Sequence, residues 1–147
     1  MNYQNQKTPT FFRFEDLRIY HKALDYALWV KEALGDYAHM DESGLAKGFN
    51  EAAQQIALNI AEGSARNKVQ FISHLKIAKT AIRSCLVYAT LVHREKVIDD
   101  FAEDESRNQL MEMTKMLGAL ITSLQKNNNH DETEDEYYPS KNYPSNY

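Results

Sequence analysis

Proline is nearly missing from this chain: of 147 residues only Pro9, Pro139 and Pro144 are proline, so Thr10 to Tyr138 runs without one. Glycine is almost as scarce, at five residues. An all-β fold turns its chain too often for so few glycines, so a β-sandwich or barrel is excluded. The single cysteine, Cys85, has no partner for an internal disulfide. Residues 1–13 lack the apolar run of a signal peptide, and no stretch reaches the roughly 18 apolar residues of a membrane span. Together these features predict a cytoplasmic protein with no membrane association. What is there, 43% hydrophobic and 26% charged residues, suits one soluble domain that buries a real core.

The net charge of −4 conceals how charge is distributed. Residues 127–147 carry five acids (Asp131, Glu132, Glu134, Asp135, Glu136) against one base, Lys141, and so account for the whole excess. Residues 1–126 are neutral, with 16 bases and 16 acids. Within them, Ser64 to Ile98 holds seven bases (Arg66, Lys68, Lys76, Lys79, Arg83, Arg94, Lys96) and one acid, Glu95. The overall balance therefore says little about local partners.

Apolar residues recur at helical spacing in four blocks after an irregular segment, 1–13. The first predicted helix runs from about Glu15 to Tyr37, with a core stripe of Leu17, Tyr20, Leu24, Ala27, Leu28 and Leu34. The second runs from about Ser43 to Glu62 through Leu45, Phe49, Ala53, Ile56 and Ile60, and is expected to stop at Gly63 as a left-handed cap. The third opens at Asn67, with Gln70 three residues on in capping-box spacing, and runs to about Lys96 with the stripe Phe71, Leu75, Ala78, Ile82, Cys85, Ala89 and Val92. Asp99 or Asp100 can cap the fourth, whose stripe is Leu110, Met113, Leu117, Leu120 and Leu124. Short connections predict an all-α, antiparallel up-down-up-down four-helix bundle over 14–126. The tail, 127–147, contains Tyr-Pro-Ser twice and four of the nine tyrosines in its last eleven residues, a composition that predicts disorder in isolation.

Two helices are more apolar than a lone bundle requires. Beside its core stripe the third carries Ile77, Ala81, Tyr88 and Leu91, and the first carries a second stripe that includes Ile19, Tyr26 and Val30. These residues are the predicted contacts of a homo-oligomer. The remaining side of the third helix is basic: Lys76, Lys79, Arg83 and Arg94 project together, with Arg66 and Lys68 at the preceding turn. Such a face either contacts nucleic-acid phosphates or is a solvated one, with Glu103 and Glu105 of the fourth helix as candidate pairing acids.

Catalysis and metal binding find little support. His21, His39, His74, His93 and His130 are scattered over different elements, and the Glu-x-x-His pairs of a di-iron bundle are missing. Cys85 sits on a core stripe and reads as a small apolar residue. No cofactor, no metal and no enzymatic activity are expected.

Ile56-Ala57-Leu58-Asn59-Ile60-Ala61-Glu62-Gly63-Ser64-Ala65-Arg66 resembles the I-x-x-N-I-A-E-G-x-x-R signature of the 23S rRNA intervening-sequence proteins, a bacterial four-helix-bundle family. Phe14-Glu15-Asp16-Leu17, and Phe71 with Leu75-Lys76-Ile77-Ala78, extend the likeness. The family in turn is similar to the accessory variability protein of diversity-generating retroelements, a pentameric barrel with a basic surface that binds nucleic acid. The resemblance implies a ring-shaped homopentamer. One departure is Thr80-Ala81 and Ser84, where members often carry Gly-Ser and then a Glu. Within the signature, Asn59, Glu62, Gly63 and Arg66 all have local structural uses: Asn59 bonding the turn, Glu62 and Arg66 pairing at i, i+4 or between subunits. The function these observations predict is a non-enzymatic oligomer that binds RNA or DNA; the alternative is a scaffold for a protein partner, held through the tail, without nucleic-acid affinity.

Overall fold

The computed structural model describes residues 11–126. Among the described residues the fold is all helical, with no strand: a 3-10 turn, Arg13–Asp16, then α1 (Arg18–Leu34), α2 (Tyr37–Met40), α3 (Leu45–Ser64), α4 (Lys68–Arg94) and α5 (Asp100–Lys126). The expected tail, 127–147, and most of the irregular segment, 1–13, lie outside the described residues. The long helices pack as chain neighbours, α1 on α3, α3 on α4 and α4 on α5, and α1 also meets α5.

The predicted first helix is three pieces. Leu17 is extended (φ −79°, ψ 125°) and separates the 3-10 turn from α1, while Gly35 (φ +49°) ends α1 before the four-residue α2. The His21 imidazole Nε2 donates to the Glu15 carbonyl at 2.6 Å and ties the turn back to α1. This break corrects the phase of the first stripe. Of the predicted stripe Leu17 and Leu34 are buried, Tyr20, Leu24 and Ala27 pack half-buried against the core and Leu28 is exposed, while the fully enclosed face of α1 is Ile19, Ala23, Tyr26, Val30 and Leu34. Ile19, Tyr26 and Val30 are therefore core residues and not oligomer contacts. The Tyr26 hydroxyl and Ser106 Oγ are hydrogen-bonded at 2.7 Å, joining α1 to α5 inside the core. Burial, with a smaller contribution from the neighbouring Cys85, pushes the Tyr26 phenol far above its ordinary range, and the Ser106 hydrogen bond offsets only part of that rise. Near the surface, Lys22 Nζ pairs with Glu112 at 3.2 Å along the same seam.

The stripes of α4 and α5 match expectation. Phe71, Leu75, Ala78, Ile82, Cys85, Ala89 and Val92 are all buried, as are Leu110, Met113, Leu117, Leu120 and Leu124. Each large side chain so enclosed contributes about 1.5–3 kcal/mol relative to exposure. Burial pushes the Cys85 thiol up to about 12, which makes it inert as a nucleophile at neutral pH.

Local chemistry sets the helix ends. Asn67 Oδ1 accepts from Gln70 N at 2.9 Å to start α4, and Asp99 Oδ1 accepts from Ala102 N at 2.8 Å to start α5. At α3 the cap is remote in sequence: Asp41 Oδ2 accepts from Ala46 N at 2.6 Å, and Asp41 Oδ1 accepts from the Ser43 hydroxyl, Ser43 N and the Tyr37 hydroxyl. Four donors converge on one carboxylate, so its ionised form is favoured. The end of α4 has the hydrogen bonds of a Schellman motif, Val97 N to Val92 O and Lys96 N to His93 O, both at 2.9 Å. Lys96 occupies the left-handed position (φ +60°) that usually takes glycine.

Two outcomes are expected. Replacing Lys96 by glycine removes the left-handed penalty and raises unfolding free energy by roughly 0.5–1 kcal/mol in urea titrations. The Ser43 hydroxyl and the Ala46 amide hold the Asp41 carboxyl below its ordinary value. Its contribution to stability is accordingly complete above the unfolded value near pH 4 and is lost as pH falls towards the folded one. The Asp41→Asn variant should be less stable at neutral pH and should show a smaller drop in melting temperature between about pH 5 and about pH 3.

Candidate nucleic-acid interface

The orientation of α4 decides which of its residues meet solvent, and α3 sets that orientation. Gly63 lies inside α3 and lacks a positive φ, so it is not the expected cap. Its role is proximity: a Cβ there would lie 2.5 Å from His74 Cβ and 3.0 Å from Phe71 Cδ1. Asn59, buried, does not bond the turn. Its Nδ2 donates to the Gln55 carbonyl at 2.8 Å, and its Oδ1 accepts from His74 Nδ1 at 3.2 Å across the helix pair. Farther along, the Tyr88 ring lies over Gly48 and stacks on Phe49 with centroids 6.0 Å apart. Glu62 and Arg66 are exposed, and no ion pair among the described residues joins them.

With α4 clamped this way, Lys76, Arg83 and Arg94 project to solvent and Lys79 is half-buried on the same side. No ion pair among the described residues involves any of the four. Glu103 has other partners: it lies 2.6 Å from His93 Nδ1 and 3.8 Å from Arg107, while His93 Nε2 faces Asp100 at 2.7 Å. Glu105, the other acid expected to neutralise the stripe, is exposed and forms no ion pair with it. Lys68 is a correction. It is only 9% exposed in the first turn of α4 and is withdrawn from any phosphate-contacting surface. Arg66, at the turn, stays exposed.

The expected oligomer face is also redrawn. Ala81 is buried and Tyr88 half-buried, because α3 covers them at the crossing. Ile77 and Leu91 remain outside, 50% and 40% exposed. Val69 and Val87, which the wheel projection passed over, join them at 64% and 60%. The short turn 65–67 carried a usable signal for the clamp: residues nearly equidistant from Arg66, such as Asn59 and His74, must meet when two helices fold back on each other. Among the described residues no group of three or more His, Cys, Asp or Glu side chains is placed to hold a metal ion, and no helix is long and apolar enough to cross a membrane.

Comparison with known families matches residues 15–119 to the model of the 23S rRNA-intervening sequence protein. The chain belongs to the 23S rRNA-intervening sequence protein family. A solved structure, that of a protein of unknown function from the S23 ribosomal protein family of Bacteroides thetaiotaomicron, is similar in fold, with a TM-score of 0.64 and 22% identity. That similarity covers 70% of this chain and 97% of the other. No curated protein matches. In this 23S rRNA-intervening sequence protein, the signature string maps onto the α3–α4 crossing: Asn59 and Gly63 are the residues that let the two helices touch.

A contrast between two glycines checks this account. Gly63→Ala should destabilise by about 1–3 kcal/mol, since a backbone-anchored Cβ on each helix would have to part. Gly118→Ala, in α5 with nothing within 4 Å of the added carbon, should instead stabilise by roughly 0.5–1 kcal/mol in the same denaturation assay.

Proposed function

We propose that this protein is a non-enzymatic, oligomeric four-helix-bundle protein of the bacterial cytoplasm that binds nucleic acid through the basic side of α4. The carrying observation is the set Lys76, Lys79, Arg83 and Arg94: one side of one helix, four bases, and no ion pair to neutralise them among the described residues. The 18 helical steps from Lys76 to Arg94 span about 27 Å, a length that follows several phosphates. Arg66 adds charge at the adjoining turn. The exposed Ile77 and Leu91 support assembly into a homo-oligomer, and the family's likeness to the ring-forming accessory variability protein of diversity-generating retroelements favours a homopentamer, which would repeat the stripe around its axis. The alternative, a scaffold for a protein partner, draws on the exposed aromatic residues Phe11 and Phe101, at 88% and 77%.

Titration of structured RNA and of duplex DNA at several salt concentrations tests the proposal. Neutralisation of about three phosphates per protomer gives a loss of roughly 40-fold in affinity between about 50 and about 200 mM salt. The Lys76→Ser, Lys79→Ser, Arg83→Ser variant should lose that binding while its assembly mass stays unchanged. If neither the parent protein nor a form truncated after Lys126 shows binding at low salt, the nucleic-acid reading fails; salt-tolerant capture of a protein partner would then favour the scaffold.

A further inference from the structure

The outward face of α4 mixes two kinds of unsatisfied surface. Bases without ion-pair partners alternate with exposed Val69, Ile77, Val87 and Leu91. The chain itself carries a segment of matching chemistry. Residues 131–136 hold five acids, and Tyr137, Tyr138, Tyr143 and Tyr147 follow them. Acids followed by aromatic rings are what a face of bases and aliphatic side chains accepts.

The place where the described chain ends makes the match reachable. α4 and α5 have 27 residues each, are joined by the five-residue connection 95–99, and pack side by side. His93 meets Asp100 and Glu103 at the connected end. With one end joined and equal lengths, Lys126 comes level with the first turn of α4. From there Asp131 to Glu136, five to ten residues on, reach about 17–33 Å in extended chain. Lys76 and Arg83 lie only about 12 Å and about 22 Å along α4 from Lys68. The same reckoning carries the tyrosines to the level of Val87, about 29 Å from Lys68.

We infer that residues 127–147 fold back over the outward face of α4 of their own chain, setting Asp131 to Glu136 against Lys76, Lys79 and Arg83 and tyrosines against Val87. The segment is then a built-in competitor for polyanions. The contact stands on charge, reach and exposure; only its consequence, masking of a nucleic-acid face, rests on the function proposed above.

The test uses the full chain and separates the two. A zero-length carbodiimide joins a carboxylate to a lysine amine only where they touch, and mixing isotopically heavy and light protein distinguishes coupling within a chain from coupling between copies. Coupling of residues 131–136 to Lys76 or Lys79 within one chain, suppressed by high salt, is expected. Coupling only between copies, only to lysines off α4 such as Lys31 and Lys47, or none at all overturns the contact. In a second arm, Asp131→Asn, Glu132→Gln, Glu134→Gln, Asp135→Asn and Glu136→Gln are combined in the full-length protein. RNA affinity should rise about tenfold, as when a tethered competitor occupies the face for about 90% of the time. Equal affinities of the two forms overturn the masking. Within-chain coupling in a protein that binds no nucleic acid in either form upholds the contact and removes the proposed function instead.

Discussion

The close approach of α3 and α4 is the constraint on which the other features depend. Two helices joined by a turn as short as 65–67 have little freedom in where they touch. Gly63 removes the side chain that would hold them apart beside His74 and Phe71, and Asn59 supplies a polar link to His74 at the same level. A hydrogen bond of this kind is worth about 1 kcal/mol net, less than the packing around it. Its value is directional: it sets the rotation of α4 about its own axis.

That rotation has consequences at both surfaces of the helix. Inward, it aligns Phe71, Leu75, Ala78, Ile82, Cys85, Ala89 and Val92 with the core, where Tyr26 and Ser106 close the far side. Outward, it presents Lys76, Arg83 and Arg94 with no ion pair among the described residues, where Glu103 is committed to His93 and Arg107. Lys79, half-buried on the same side, marks the edge of that face. In this chain Asn59 and Gly63 thus act on a surface that they do not themselves form.

Several features were legible from residue order alone. Period 3.6 in α3, α4 and α5 identified their core stripes, and Asn67 and Asp99 announced the starts of two helices. The first helix was legible in kind but not in phase. Both of its stripes are apolar and both reach the core, but the one through Ile19, Tyr26 and Val30 is fully enclosed while Tyr20, Leu24 and Ala27 pack at the edge. At the end of α4 no glycine signalled the Schellman motif, since Lys96 takes the left-handed position at a cost that the tertiary structure bears.

What the sequence determined by itself is therefore the helical class, the core stripes of the later helices, the segregation of charge and the family. Those follow from local periodicity and composition, which need no knowledge of partners. Tertiary structure alone decided which stripe of α1 is core, that Gly63 is a contact and not a cap, and that Lys68, Ala81 and Tyr88 are covered while Val69 and Val87 are not. The physical reason is common to all of these. Burial of a side chain on an amphipathic helix depends on the neighbour packed against it, and two apolar faces of similar width are equivalent until a second helix chooses between them.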